Sequence, residues 1–165
     1  MSEGVTSQDF RNAMARLGAA VSVISTDGPA GRGGFTATAV CSVSDTPPTL
    51  LVCMNSRSAQ CETFIQNGSF AVNILATSHR ELAALFSGKS QDMAERFAAA
   101  SWVQSGARSP LLEDAIAAFD CTLDGIQLIG THHVMLGKVM NVRARENGRV
   151  LLYVDRAYVS ADNLN

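Results

Sequence analysis

The stretch GFTATAVCSVSDTPPTLLVCM, residues 34–54, settles the class of fold. From Phe35 to Val43 the residues alternate. Phe35, Ala37, Ala39, Cys41 and Val43 fall on one face; Thr36, Thr38 and Ser42 fall on the other, with Ser44 continuing that side. A period of two marks a half-buried strand, here with a hydroxyl-rich second face. Asp45-Thr46-Pro47-Pro48 breaks the strand, and residues 49–54 make another.

Working outward, Gly31-Arg32-Gly33-Gly34 and Asp27-Gly28-Pro29 are turn chemistry, and residues 20–26 form a short β-branched strand. Before them, Phe10, Ala13, Met14 and Leu17 share one face of a helix, with Thr6 and Asp9 at its start and Gly18 as its stop. Downstream, residues 58–66 form a short helix ended by Asn67-Gly68, and residues 69–75 a strand. Two more short helices fit residues 79–86, closed by Gly88, and 92–99. The chain is irregular around Pro110. Strands then occupy residues 117–124, 127–143 and 149–155, with a bend in the long one near Gly130 or Gly137 and a hairpin at Asn147-Gly148. Six or seven strands with few helices predict a mainly β protein, an antiparallel barrel. A doubly wound parallel sheet needs regular alternation with long helices, which is missing. The glycines at 31–34 do not spell the dinucleotide fingerprint, and they precede a strand.

At 165 residues the chain has the length of one domain, spanning 1–165. Hydrophobic residues at 47% against 17% charged support a real core rather than disorder. A net charge of −2 argues against a nucleic-acid module. No apolar run reaches the roughly 20 residues of a membrane helix. Residues 1–8 are polar and unlike a secretory signal, so a cytoplasmic location is expected. Cys41, Cys53, Cys61 and Cys121 are then expected to be free thiols in core positions, and their spacing suits no metal.

Four groups of residues could carry chemistry. Thr36, Thr38 and Ser42 could present hydroxyls to a phosphorylated ligand, or simply suit a solvated strand face. Asn55-Ser56-Arg57-Ser58 follows a strand end, where ligands sit, but could equally cap the next helix. Phe86-Ser87-Gly88-Lys89, followed by Arg96, could meet a phosphate, although Gly88 also reads as a C-cap and Lys89 as an answer to the helix dipole. Gly130-Thr131-His132-His133 lies in an apolar strand. Adjacent histidines there point to opposite faces, which disfavours a shared metal and leaves one free to face a cavity. Asp120 and Asp124 read as solvated.

Taken in order, these residues resemble the short-chain flavin reductase family, the reductase components of two-component flavin-dependent monooxygenases. The likeness rests on residues 34–53, Phe70-Ala71-Val72-Asn73-Ile74-Leu75, Phe86-Ser87-Gly88-Lys89, Glu95-Arg96-Phe97 with Trp102, and Gly130-Thr131-His132, spanning roughly residues 10–158. It implies a flavin-binding split β-barrel, a Greek-key antiparallel barrel with flanking short helices. It implies a homodimer that reduces FAD or FMN with NADH or NADPH and passes reduced flavin by diffusion to a monooxygenase; FAD is the flavin expected first, and the absence of a basic cluster for a 2′-phosphate favours NADH over NADPH. Within it, Thr36, Ala37, Thr38 and Ala39 match the strand lining the flavin. Cys53, Asn55, Ser56, Ser58 and Gln60 match the loop holding the ring edge and ribityl chain. Ser87, Gly88, Lys89 and Arg96 match the phosphate end. Gly130, Thr131 and His132 match the element placed against the nicotinamide, with His132 the catalytic-site residue. Tyr153 and Tyr158 match the C-terminal region on the nicotinamide side. Relatives often carry a histidine after the last aromatic, whereas Tyr158 is followed by Val159. A flavin carrier or sensor without turnover is the alternative on the same fold.

Overall fold

The computed structural model describes residues 4–88, 92–104, 106 and 109–160. Helix α1 (Ser7–Met14) begins where the Thr6 hydroxyl accepts the Asp9 N–H, and strands β1 (Ala19–Ala20), β2 (Ser22–Thr26), β3 (Gly33–Ala37), β4 (Val40–Asp45) and β5 (Pro48–Asn55) follow. Next come α2 (Cys61–Asn67), β6 (Ser69–Ile74), a 3₁₀ turn (Thr77–His79), α3 (Arg80–Ser87) and α4 (Met93–Ala98). Strands β7 (Trp102–Gln104), β8 (Pro110–Leu112), β9 (Ala117–Ile129), β10 (His132–Ala144), β11 (Leu151–Val154) and β12 (Ala157–Ser160) complete the order.

The protein is mainly β, with antiparallel sheets and a few short helices. Seven strands form one sheet in the order β3-β2-β6-β9-β10-β5-β4; β1-β11-β12 form a second, and β7-β8 a small pair. The outermost strands of the large sheet, β3 and β4, are neighbours in the chain, separated only by Thr38 and Ala39. The Ala39 carbonyl accepts the Cys53 N–H at 3.0 Å.

Strands β2 and β6 of the large sheet are covered on both faces. Every residue of β2 is buried. Val23 enters one apolar cluster with Leu75, Phe86, Phe97 and Leu112. Its neighbour Ile24 enters another, with Val52, Met54, Phe64, Phe70 and Met135. Successive side chains of a strand point to opposite faces, so this doubly covered strand buries Ser22, Ser25 and Thr26 along with its two apolar residues. Buried polar groups there are paired. The Asn73 amide donates to the Val23 carbonyl and Ser25 hydroxyl, its oxygen accepts the Leu112 N–H, and Ser25 donates to the Pro110 carbonyl. This ties β8 onto β2 and β6.

The structure corrects several sequence expectations. Residues 35–43 form not one strand but two, because the chain leaves its partner β2 and takes up β5 at Thr38-Ala39. Cys41 is exposed and Val43 is 51% exposed, since no other element covers that end. Residues 20–26 are likewise divided: β1 pairs with β11, β2 with β3 and β6. Residues 127–143 are split by a turn at Gly130-Thr131, where Gly130 takes φ 57°, and β9 continues through Gly125. A register shift does fall at Leu136/Gly137, where a side chain on Gly137 would meet the Phe70 ring at 2.5 Å.

Asn147-Gly148 joins no hairpin, since β11 pairs with β1 and β12 rather than β10. The C-terminal hairpin turns instead at Asp155-Arg156, both with positive φ. Arg156 conceals a turn that Asn-Gly or Asp-Gly would advertise. Helix α1 helps to hold it: the Asp155 N–H reaches the Ala15 carbonyl, and Arg16 pairs with Asp155. That helix ends at Met14 rather than near Gly18; its Phe10 and Met14, and Leu17 beyond it, lie exposed. Asp120 is buried, not solvated, because both faces of β9 are covered there; Asp124 is exposed. The irregular region around Pro110 contains β7 and β8.

Candidate functional site

Two cavities, each of about 230 Å³, meet at Thr36 and Ser87. The first is lined by Thr36, Ser58, Gln60, Ser87, Gly88 and Arg96, together with Phe35 and Met93. The second is lined by Thr36, Ala37, Thr38, Ser87, Tyr153 and Tyr158, together with Val21. One is polar and the other aromatic. Strand β3 runs beneath both. Helix α3 delivers Ser87 from one side, and the β11–β12 hairpin delivers the tyrosines from another. The two tyrosine rings meet edge to face at 5.3 Å, and the Arg80 guanidinium lies 5.7 Å from the Tyr158 ring centroid.

The hydroxyls differ from the simple stripe of donors that alternation suggests. Thr36 donates to the Ala83 carbonyl at 2.7 Å, and Ser87 donates to Ala84 at 2.8 Å. Their protons are engaged by helix α3, so their oxygens are left to accept. The Ser58 hydroxyl accepts the Gln60 N–H. The Gln60 Oε1 is buried and has no hydrogen-bond partner. Arg96 donates to the carbonyls of Gly34, Phe86 and Gly88. Burial pulls its pKa below the ordinary value, with Glu95 acting the other way.

A separate cluster forms where β5 and β9 end and β10 begins. His132 lies opposite Asn55 on one side and Ile129 on the other. Its Nδ1 is 2.9 Å from the Thr131 hydroxyl. Ser56 donates its N–H and its hydroxyl to the Thr131 carbonyl, at 3.0 and 3.1 Å. These bonds fasten the loop after β5 to the turn at Gly130. The same loop then runs to Ser58 and Gln60, so it links the histidine to the polar cavity. His133 lies opposite Met54, with its Nδ1 buried and without a partner. Among the described residues, no three histidine, cysteine or acidic side chains gather to hold a metal.

Not every sequence candidate joins these cavities. Ala39 lies in a larger apolar groove, about 740 Å³ in volume, that Thr38 also lines. Cys53 is bonded to Ala39 through the backbone, and burial pushes its thiol pKa up. Lys89 lies outside the described residues. Phe35, Met93 and Arg80 were not anticipated. Phe35 and Met93 read as core residues, and only the fold shows that they also wall a cavity.

An antiparallel, mainly β chain with a polar cavity beside an aromatic one suits a protein that handles a ring carrying a polar tail. The chain belongs to the family of the flavin reductase like domain, which matches residues 14–162. It is an oxidoreductase of the flavin reductase kind. It is 51% identical over 154 residues to the protein named FMN reductase (NADH) RutF of Pantoea ananatis, covering 93% of this chain and 80% of that one. Its identity to the Variovorax paradoxus protein of the same name is 51% over 150 residues, covering 91% and 83%. Among solved structures, the styrene monooxygenase flavin reductase of Pseudomonas putida S12 superposes with a TM-score of 0.83 at 26% identity, covering 94% of this chain and 98% of that one.

Proposed function

We propose that this protein uses NADH, in preference to NADPH, to reduce free FMN or FAD. The reduced flavin then leaves by diffusion for a separate flavin-dependent monooxygenase. The observation that carries this reading is the pair of cavities joined at Thr36 and Ser87. The residues fit a flavin: the buried Gln60 Oε1 is an acceptor awaiting a donor, which ribityl hydroxyls would supply. The names of the relatives favour NADH and FMN, and the solved neighbour is the reductase of a monooxygenase.

In this reading Thr36, Ala37, Thr38 and Ala39 line the ring. Cys53, Asn55, Ser56, Ser58 and Gln60 hold its edge and the ribityl chain. Ser87, Gly88 and Lys89 form the phosphate end, with Arg96 behind them. His132, steadied by Gly130 and Thr131, faces the nicotinamide, and Tyr153 and Tyr158 approach it from the C-terminal hairpin. The flavin and nicotinamide supply hydride-transfer chemistry when bound. The protein contributes orientation and exclusion of water, for which acceptor oxygens and flat aromatic walls suffice.

The remaining architecture is proposed with it. The chain is a single domain, and the large sheet is a split barrel: its edge strands β3 and β4 follow one another and are joined through Ala39 to β5. It acts as a cytoplasmic homodimer. The second copy covers the groove lined by Leu17, Val40, Leu51, Val139 and Val142, an apolar surface that a lone chain would leave in water.

The test is anaerobic. Protein is mixed with excess FMN or FAD, NADH or NADPH is added, and flavin absorbance is followed. Many turnovers of bleaching are expected. Bound flavin that never bleaches would establish a carrier or sensor instead, and no binding would refute the flavin site. His132→Ala should lower kcat/KM for NADH without abolishing turnover; unchanged kinetics would remove His132 from the site.

A further inference from the structure

We infer that Arg96 is a positioning residue, which holds the turn at 86–88 in shape and does not itself bind the flavin phosphate. This rests on reading the polar cavity as the phosphate end of a flavin site. Arg96 is only 4% exposed. Its Nη1 donates to the Phe86 carbonyl at 3.1 Å and, at a longer 3.4 Å, to the Gly34 carbonyl. Its Nη2 donates to the Gly88 carbonyl at 2.6 Å. The guanidinium thus bridges strand β3, the last turn of α3 and the residue after it.

Two features explain why a cation belongs there. The last carbonyls of a helix have no partner within the helix, and a positive charge at that end answers its dipole. Arg96 meets both needs at the end of α3. Its guanidinium also lies 5.9 Å from the Phe86 ring centroid. That ring presses on Gly34, where a Cβ would come within 2.6 Å of it. Strand, ring and turn are therefore locked as one unit, with Ser87 and Gly88 presented to the cavity. The planar fork of arginine reaches several carbonyls at once. A lysine ammonium keeps the charge but loses that geometry.

The experiment compares Arg96→Lys and Arg96→Gln in the full chain. Affinities for FMN and for riboflavin, which lacks the phosphate, are read by quenching of flavin fluorescence. Amide exchange at 86–88 is read in the flavin-free protein. If Arg96 positions the turn, both variants weaken FMN alike, by about tenfold for the loss of charge-assisted bonds. Riboflavin binding then changes by less than about twofold, and exchange at 86–88 accelerates in both variants. FMN affinity preserved in Arg96→Lys but lost in Arg96→Gln would overturn the inference and make Arg96 a phosphate ligand. Unchanged exchange at 86–88 would also overturn it. Should Arg96→Gln not fold, Arg96→Lys still separates the two roles through exchange at 86–88 in the flavin-free protein, which a phosphate ligand would leave unchanged. If the natural chain binds neither flavin, the proposed function falls, and the exchange measurement still decides whether Arg96 holds the turn.

Discussion

Strands β3 and β4 come from one continuous alternating stretch, yet they end in opposite surroundings. In β3, Gly33, Gly34 and Ala37 are buried and Phe35 and Thr36 half-buried; in β4, Val40 is half-buried and the rest are exposed. The cause lies outside both strands. Helix α3 lies on β3, with Phe86 against Gly34 and the Ala83 carbonyl accepting from Thr36. From α2, Phe64 packs edge-on to Phe35 at 5.4 Å. Strand β4 is the other edge of the sheet, pairing with β5 alone, and five of its six residues stay exposed. Alternation says which residues share a face; it does not say what covers that face.

The largest effect should come from breaking the covered half. Phe86→Ala should cost about 3–5 kcal/mol in urea unfolding, by loss of burial and a remaining cavity. Gly34→Ala should be severely destabilising alone, yet much milder in the Phe86→Ala background, where the ring no longer stands in its way. Additive costs would mean that this close approach is not what constrains Gly34.

The next test addresses the uncovered half. Met140 and Val142 are 57% and 52% exposed. If a second copy covers them, Met140→Glu should convert the protein to monomer in sedimentation while changing its intrinsic stability by under about 1 kcal/mol. A natural chain that sediments as a monomer would remove the proposed cover from β4.

Thiol chemistry sharpens the same contrast. Cys121 is buried, and desolvation with the Asp120 charge pushes its pKa up to about 12. Cys41 is exposed on the single chain. In Met140→Glu, Cys41 should react with a disulfide reagent in the first phase and Cys121 only on unfolding. If the natural chain forms the proposed dimer, Cys41 should slow markedly there. Equal rates for Cys41 in the two proteins would place it outside the interface.

The smallest effects compare like with like. Thr36→Val deprives the Ala83 carbonyl of its donor and should cost about 1 kcal/mol. Val43→Thr, on the exposed strand, should stay within about 0.5 kcal/mol in the Met140→Glu background. A larger cost at Val43 than at Thr36 would reverse the comparison.

Much of the local structure was legible because its signals are short-range. Thr6 with Asp9, Asp92 capping Glu95, and Gly68 at φ 66° all stand where capping rules put helix ends. Of the candidate site, Thr36, Ser58, Gln60, Ser87, Gly88 and Arg96 do meet in one cavity, although they come from four separate segments. Family likeness grouped them; periodicity alone could not. The hydrogen-bond duties of the same residues were hidden. Thr36 reads as a free hydroxyl until helix α3 lies across it, and Asp120 reads as solvated until both faces of its strand are covered. The β11–β12 turn was missed because two ordinary residues adopt positive φ, held in part by a helix at the other end of the chain.

By itself, the sequence determined the mainly β character, the helix ends at Thr6, Gly68 and Asp92, and the opposite faces of His132 and His133. These follow from backbone sterics and side-chain periodicity within a few residues. Tertiary structure alone decided which strand edges meet, which alternating face is covered, and where each buried donor points. Thr36 finds its acceptor 47 residues away, and Arg96 reaches back 62 residues to Gly34. Burial and hydrogen-bond partnership are properties of surroundings assembled from distant segments, and no local window of the chain contains them.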